Sequence, residues 1–306
     1  MLEIIRNTAS QNSKWKKALL STLLALALGA GASAFPIVVQ DDRGEEIEIA
    51  EAPERVVVLA ALYGEILVDL SAVELVVGVA DSPDNPEELQ GLPTVGPSFS
   101  PSVEAILGLE PDLVLGGWGD VRSGLERAQV PVLTAGQEGA IIAGVSDIFA
   151  AIRAVGEALG KSEEAARLIG DIALEIVLTE SLVLGRTDVK VAFLYMAAPN
   201  SPPYANGKGT IEHELLLRAG GDNAFADVDG FSPVSLEEVL ARDPDVIFTD
   251  PTQIDHILDS EHLEQITAVR EGRVHGVRAA ETTSTGVAQA LREMARRLHP
   301  EAFEED

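Results

Sequence analysis

Four aromatic side chains lie at sequence positions that are expected to line a ligand-binding site. They are Tyr63, Phe99, Trp118 and Tyr204. The whole chain holds only 8 Phe, 3 Tyr and 2 Trp, so aromatic residues at such places carry more weight than usual. In open α/β folds, the loops that follow the strands form the ligand-binding edge of the sheet. The four rings therefore predict an apolar, flat ligand, although aromatic rings at the edge of a core would give the same pattern.

A short unit that occurs twice indicates which elements position these side chains. It runs from residue 102 to 115 and again from 235 to 248. In each copy a Ser can cap a helix whose first turn carries Glu, an acid-Pro-Asp triplet ends the helix, and an apolar run follows like a buried parallel strand. The two copies are too far apart for a solenoid repeat. They predict two similar lobes, with room for a ligand between them.

Strands alternate with helices over most of the chain, which predicts mostly parallel sheets covered on both faces. The first lobe is predicted at residues 35–145 and opens with a hairpin that turns at Asp42-Arg43-Gly44. The second lobe is predicted at residues 188–306. Residues 146–187 between them form two continuous helical patterns, the second of which begins at Ser162. At about 1.5 Å per residue this second helix crosses a small domain, so it predicts a rigid connection and little closure on ligand binding.

Residues 1–34 are typical of a cleaved secretory signal peptide. They contain three lysines, an apolar run from Ala18 to Ala30, and the small-x-small triplet Ala32-Ser33-Ala34. A single transmembrane anchor is the rival interpretation, but a span needs about 20 apolar residues. The sequence has no Cys and therefore no lipid-attachment cysteine. We expect cleavage near Ala34 and a free periplasmic protein that is not a lipoprotein.

The charge balance restricts the partners. The chain carries 50 acidic residues against 22 Lys and Arg, a net charge of −28. Nucleic acids and anionic lipid surfaces are therefore not expected as partners, because both carry the same sign of charge. We interpret most of these acids as a solvated surface, which could suit a saline habitat.

Several segments of the two predicted lobes carry a resemblance to a known family. In the first lobe they are Pro53-Glu54-Arg55-Val56-Val57-Val58-Leu59, Val77-Gly78-Val79 and Leu92-Pro93-Thr94-Val95-Gly96, and in the second lobe residues 203–211 and 219–225. Together they resemble periplasmic substrate-binding proteins for cobalamin, ferric siderophores and haem. The resemblance covers nearly the whole predicted mature chain. It implies the class III periplasmic-binding-protein fold, an α/β architecture with two Rossmann-like lobes joined by a long rigid helix. It also implies no enzyme activity and no resident cofactor.

The resemblance implies partners as well. Proteins of this family deliver their ligand, here a small-molecule metal chelate, to an ABC importer with a permease dimer and a cytoplasmic ATPase. One Glu on each lobe engages the permease, and the repeat places Glu104 and Glu237 at those positions. Two carboxylates related by an approximate twofold axis suit a dimer. Alternatively, each Glu only complements its helix dipole, worth about 0.3 to 1 kcal/mol. Glu238 is better explained as the capping-box partner of Ser235.

The choice among corrinoid, siderophore and haem stays open in the sequence. Lys208 and Arg278 could hold the carboxylates of haem or of a ferric chelate, whereas Arg122 is better interpreted as a solvated surface cation. Residues 203–211 most resemble the cobalamin binders. Against that, Ser82 and Asn85 stand where a cobalamin-binding member of the family carries tyrosines.

Metal coordination by the protein itself is not expected, because the five histidines all lie in the second predicted lobe. They are His213, His256, His262, His275 and His299. One of these, or Tyr63, could still serve as an axial ligand to haem iron. An exposed His on a helix or loop is the simpler interpretation.

Two other classes of function remain as alternatives. An exported hydrolase could use Asp120, Asp250 and Glu281 in a cleft between the lobes, but nothing in their spacing selects them from the other acids. The sequence also lacks a G-x-S-x-G elbow and a Cys nucleophile. A sensor or structural module that binds the ligand without transport is the third alternative, which the sequence does not exclude.

Overall fold

The computed structural model describes residues 35–136, 142–186 and 188–304. Its strands are β1 (Ile37–Gln40), β2 (Glu46–Ile49), β3 (Val56–Val58), β4 (Val76–Asp81), β5 (Thr94–Pro97), β6 (Leu113–Leu115), β7 (Val132–Leu133), β8 (Val189–Tyr195), β9 (Tyr204–Asn206), β10 (Gly221–Asn223), β11 (Phe231–Pro233), β12 (Val246–Thr249) and β13 (Val274–Gly276). Its helices are α1 (Ala61–Asp69), α2 (Val103–Leu107), α3 (Gly119–Arg127), α4 (Val145–Ala158), α5 (Ser162–Leu182), α6 (Ile211–Arg218), α7 (Leu236–Arg242), α8 (Ile254–Leu258), α9 (Thr267–Arg270), α10 (Ala279–Thr282) and α11 (Val287–Leu298). The predicted signal peptide lies outside the described residues.

The first lobe is built on a parallel sheet with the strand order β5-β4-β3-β6-β7. Its central strands β3 and β6 are buried along their whole length, as expected for unbroken apolar runs covered on both faces. The predicted hairpin is present, with β1 and β2 paired antiparallel from Ile37 opposite Ile49. Parallel strands put all their carboxyl ends at one edge, so the loops after β3, β5 and β6 are neighbours.

The second lobe has a mixed sheet in which parallel pairs form the centre. Strand β8 pairs in parallel with β12 and β10, and β12 pairs in parallel with β13. The short strands β9 and β11 extend this sheet in antiparallel pairing at its edge. Two lobes with mostly parallel sheets confirm the fold class predicted from the sequence.

The repeated unit has the same local structure in both lobes. Ser102 Oγ accepts the N–H of Ala105 at 3.2 Å in α2, and Ser235 Oγ accepts the N–H of Glu238 at 3.1 Å in α7. The Glu238 carboxylate accepts the N–H of Ser235 at 2.9 Å, which confirms the predicted capping box.

The acid-Pro-Asp triplet ties each copy of the repeat to the first strand of its sheet. Asp112 accepts the backbone N–H groups of Glu54 at 2.8 Å and of Arg55 at 3.1 Å, just before β3. Asp245 accepts the N–H of Lys190 at 3.0 Å in β8. Each Asp therefore satisfies backbone donors at the start of a central strand, which explains why the triplet occurs in both lobes.

Helix α5 has 21 residues, which corresponds to about 32 Å. It packs against α4 on one side and α11 on the other. Two direct hydrogen bonds also join the lobes. Thr285 Oγ1 donates to Glu65 Oε2 at 3.3 Å, and the N–H of Val145 donates to Glu214 Oε2 at 3.2 Å. Within the described ranges, no helix combines the length and apolar character that crossing a membrane requires.

Candidate ligand-binding site

The first lobe has a cavity of about 290 Å³ at the carboxyl ends of its strands. Leu59 follows β3, Phe99 follows β5, and Trp118 follows β6. Phe99 is 92% exposed, and Trp118 is half-buried at the start of α3. The structure thus brings together two of the aromatic side chains that the sequence placed at this edge.

Tyr63 is not part of this wall. Its side chain is only 1% exposed and packs in the core beneath Gly116. The hydroxyl donates to Ala135 O at 3.2 Å and accepts the N–H of Ala135 at 2.8 Å, so its hydrogen bonds are made inside the protein. Burial accordingly raises the pKa of this phenol. The prediction that Tyr63 lines the ligand cleft or binds haem iron is wrong for this structure, because α1 begins at Ala61 and turns the ring inward.

Arg122 is neither a ligand cation nor a surface cation. It is 5% exposed and ion-paired with the hairpin turn through Asp41 and through Asp42 Oδ1 at 2.6 Å. Its Nε also lies 3.0 Å from Glu126 Oε1, one turn along α3. Burial opposes ionisation of Asp41, but the N–H groups of Glu45 and Arg43 and the charge of Arg122 together lower its pKa. The prediction of a solvated arginine is therefore wrong, and the residue fastens the hairpin to the first lobe.

The second lobe has a larger cavity of about 530 Å³. Three aromatic rings, those of Tyr195, Tyr204 and Phe231, form a cluster at this cavity. The rings of Tyr204 and Phe231 are stacked with centroids 4.9 Å apart, and Phe231 meets Tyr195 edge to face at 5.3 Å. Phe231 and Tyr195 line the cavity directly. Tyr204, which the sequence singled out, therefore supports an aromatic cluster at this cavity.

The second cavity also has polar side chains among its lining residues, and Asn206 is the cross-strand partner of Phe231. Asn206, Thr210 and Glu212 line it. Glu212 is 7% exposed and accepts a hydrogen bond from Thr282 Oγ1 at 3.2 Å. Burial raises the pKa of Glu212, and burial together with the charges of Glu212 and Asp250 raises the pKa of Tyr195. The cavity thus holds a carboxyl group that is costly to ionise.

An E212Q variant is expected to be more stable than the unaltered protein at pH 8. The pKa of Glu212 is raised above its ordinary value of 4.5, so the stability it contributes is present below pH 4.5 and is lost as the pH rises through the folded-state pKa. Gln keeps the acceptor for Thr282 without the charge. The melting temperatures of the two proteins should therefore converge as the pH is lowered toward 4.5. A gap that widens on acidification would contradict this, and D229N, at an exposed Asp, is the control.

The two cationic candidates, Lys208 and Arg278, are ion-paired and are not among the lining residues of either cavity. Lys208 Nζ lies 3.9 Å from Asp229 Oδ1 with both side chains exposed, and Arg278 Nε lies 2.9 Å from Glu281 Oε1. The acids of the hydrolase alternative are not brought together as a pair. Asp120 lines the first cavity, whereas Asp250 accepts the N–H of Thr252 at 2.9 Å.

Several histidines make internal hydrogen bonds. His213 Nδ1 lies 2.8 Å from Asn223 Nδ2, His256 Nδ1 lies 2.6 Å from Met196 O, and His299 Nε2 lies 3.0 Å from Gly220 O. Among residues 35–136, 142–186 and 188–304, no group of three or more His, Asp or Glu side chains is placed to hold a metal ion.

Glu104 and Glu237 occupy matching positions in the first turns of α2 and α7, and both are exposed. Glu104 Oε2 accepts a hydrogen bond from Ser102 Oγ at 3.2 Å. The repeat therefore presents one exposed carboxylate on each lobe. Their role in docking stays a prediction.

Sequence reasoning missed four residues of the second cavity: Tyr195, Asn206, Glu212 and Phe231. Tyr195 could have been found, because it ends the apolar strand β8, and the ends of such strands form the ligand-binding edge of the sheet. Phe231 lies on β11, a strand of three residues with no sequence pattern of its own. Glu212 looks like an ordinary acid in the first turn of a helix until the packing of α10 buries it.

These features define a two-lobed α/β binding protein with ligand-sized cavities at the strand ends. The chain belongs to the periplasmic binding protein family, because the model of that family matches residues 56–280. The resemblance seen in the sequence is thereby confirmed, and the chain is a substrate-binding protein of the ABC-importer type.

Similar proteins agree with this assignment. The chain is 26% identical to an uncharacterised ABC transporter substrate-binding lipoprotein of Bacillus subtilis, over 89% of this chain and 88% of that protein. It is 30% identical to the vitamin B12-binding protein of Salmonella typhimurium, over 56% of this chain and 63% of that protein. The structure of the periplasmic haem-binding protein RhuT of Roseiflexus is similar, with a TM-score of 0.71 and 28% identity over 81% of this chain and 99% of that chain.

Proposed function

We propose that this protein captures a corrinoid between its two lobes and delivers it, unchanged, to an ABC import permease. The observation that carries this proposal is the pair of cavities at the strand ends, with Phe99 and Trp118 in one lobe and the Tyr195, Tyr204 and Phe231 cluster in the other. A macrocycle offers the flat apolar surface that such rings bind best. A ferric siderophore or haem is the second candidate. Of the similar solved structures, one is named a periplasmic haem-binding protein and another an ABC-type Fe3+-hydroxamate transport system.

The charges favour a neutral ligand over haem. Neither cavity has a Lys or Arg among its lining residues, and each contains an acid, Asp120 in the first and Glu212 in the second. The nearby cations Lys208 and Arg278 are paired with acids of their own. Haem carries two carboxylates that need cationic or hydrogen-bonding partners, whereas the corrin ring of cobalamin is edged by uncharged amides.

Fluorescence of Trp118 is the direct test. The chain has two Trp, and Trp118 is the one that lies outside the predicted signal peptide. Titration of the chain from Phe35 onward with cyanocobalamin should quench this fluorescence saturably below about 1 µM, a typical affinity for a specific small-molecule site. Haemin and ferric siderophores serve as competitors, with correction for their absorbance. The bound corrinoid should be recovered unaltered, which tests the hydrolase alternative.

A W118F variant is the control, because it removes the signal while calorimetry still reports binding. If no ligand of the panel binds by either method, the assignment of the cleft fails.

We also propose that the protein acts outside the cytoplasm as a free, periplasmic chain. The basic and apolar segments of residues 1–34 support export, and the absence of Cys supports a chain without a lipid anchor, unlike the Bacillus relative that is named a lipoprotein. Docking through Glu104 and Glu237 completes the proposed cycle of capture and delivery.

A further inference from the structure

One polar residue that lines the second cavity has a side-chain donor without a partner. Asn206 is 3% exposed, and its Nδ2 has no hydrogen-bond acceptor. A buried amide donor without a partner costs free energy, and such groups are rare in folded proteins. The Cβ–Cγ torsion of Asn is broad, so Nδ2 can turn toward the cavity when an acceptor enters it.

The backbone around Asn206 is held firmly, so the side chain is presented from a fixed position. Asn223 Nδ2 donates to Asn206 O at 2.9 Å, and the N–H of Gly207 donates to Gly230 O at 3.0 Å. A Cβ on Gly207 would lie 2.0 Å from Val228 O, so only Gly fits this close approach. The unpartnered Nδ2 is thus part of a built site.

Glu212, which lines the same cavity, supplies the complementary group. Thr282 donates to its Oε1, and the residue lines the cavity from the first turn of α6. A carboxyl in this place accepts a hydrogen bond when it is ionised and can also donate one when it is protonated. Asn206, which lines the same cavity, offers a donor.

We propose that Asn206 and Glu212 form a subsite for a primary carboxamide of the ligand. The amide oxygen accepts from Asn206 Nδ2, and the amide NH₂ donates to the Glu212 carboxyl. Tyr195 and Phe231 cover the apolar part of the same group. The inference rests on the proposed function, because corrinoids carry a rim of acetamide and propionamide side chains.

A carboxylate fits this subsite less well once Glu212 is ionised. It can accept from Asn206 and from a protonated Glu212, but it has no donor for an ionised Glu212, and the two charges then repel in a place shielded from water. An amide satisfies Glu212 in either protonation state because it has both donors and an acceptor. The subsite therefore selects amides against acids of the same size above the pH at which Glu212 ionises.

The ligand side can be varied without changing the protein. Cyanocobalamin and its three propionamide-derived monocarboxylic acids differ by a single amide hydrolysed to an acid. At pH 7.5 we expect at least one of these acids to bind the unaltered protein about 10-fold or more weakly than cyanocobalamin, since it leaves buried polar groups unsatisfied. Calorimetry or Trp118 quenching measures the affinities.

Two variants connect this preference to the named residues. E212Q should bind cyanocobalamin within a few-fold of the unaltered protein while losing most of the discrimination against the acid. N206D replaces the donor by an acceptor and should weaken cyanocobalamin about 10-fold or more. D229N removes an exposed acid from a nearby loop and should change neither value.

The outcomes separate the two levels of the proposal. Binding of cyanocobalamin and all three acids with equal affinity, or a preference that survives in E212Q, overturns the carboxamide subsite and leaves the corrinoid proposal standing. Binding of haemin or a siderophore without cyanocobalamin overturns the subsite and the corrinoid while the importer role remains. Binding of none of these ligands overturns the proposed function itself.

Discussion

An R122M variant is expected to lose about 3 to 5 kcal/mol of unfolding free energy. The substitution keeps an apolar stem of similar length but removes the Arg122 guanidinium from Asp41 and Asp42, both buried on their side-chain atoms, while Arg43 Nε remains 3.2 Å from Asp41 Oδ2. Removing one partner of a buried ion pair is costly because the remaining charge is stranded away from water. Urea unfolding followed by Trp118 fluorescence reports on the first lobe directly, since Trp118 begins the helix that carries Arg122.

R127M is the matched control. Arg127 lies on the same helix, is exposed, and undergoes the same chemical change. Its unfolding midpoint should stay close to that of the unaltered protein, since surface substitutions usually change stability by less than about 0.5 kcal/mol. If R122M and R127M unfold at the same urea concentration, the network does not stabilise the hairpin. Adding D41N and D42N to R122M should restore part of the loss, because the stranded charges are then removed.

The pH dependence gives a second check on the same network. The folded-state pKa of Asp41 is lowered from its ordinary value of 3.8, so its contribution to stability is complete above that pH and is lost as the pH falls through the folded-state pKa. The difference between R122M and the unaltered protein should therefore be largest near neutral pH and should narrow below about pH 4. A difference that is constant down to pH 3 would point to lost packing rather than lost charge pairing.

Arg122 and Tyr63 show why part of this structure could not be predicted from the sequence. The pattern of α3 has no feature that distinguishes Arg122 from Arg127, and the partners Asp41 and Asp42 lie about 80 residues away in the chain. Only the docking of the hairpin on the sheet brings them together. Tyr63 was predicted to line the cleft because it follows a strand, but it lies in the first turn of α1, which begins at Ala61, and its ring is buried in the core.

What the sequence did predict follows from repetition and from strand geometry. The duplicated unit gave the two helices and the two buried strands because capping Ser residues and apolar runs are local features. Phe99 and Trp118 lie shortly after the parallel strands β5 and β6, and both line the first cavity, while their part in ligand binding stays a prediction. The polar pair Asn206 and Glu212 required the structure, because burial of a helix-start acid arises from contacts between distant elements.

Replacing Glu104 and Glu237 together by Gln is expected to reduce ligand uptake at least about 30-fold while ligand affinity stays unchanged. Each carboxylate is exposed in the free protein and would be covered in a complex with the permease. Loss of one partner of a hydrogen-bonded charge pair at an interface costs about 2 to 5 kcal/mol. The loss of helix-dipole stabilisation is smaller, about 0.3 to 1 kcal/mol, so the variant should remain folded.

The control is the double variant E88Q and E264Q, which removes one exposed acid from each lobe outside the repeat. Uptake by cells that depend on this protein, measured with labelled cyanocobalamin, should be normal in the control. Trp118 quenching and melting curves of both purified variants exclude a loss of binding or folding. Equal uptake by E104Q/E237Q and by the control would contradict docking and favour the sensor alternative.

The two single variants test whether the approximate twofold relation between the lobes is used. Helices α2 and α7 are both capped by Ser, and each carries its Glu at the same position of the first turn. A permease dimer with two equivalent subunits could therefore bind one such Glu with each subunit. E104Q and E237Q should then lower uptake to a similar extent, with the two losses adding in the double variant because the sites lie on separate lobes. A severe loss from one variant and none from the other would show that a single lobe provides the recognition and that the symmetry of the repeat is only structural.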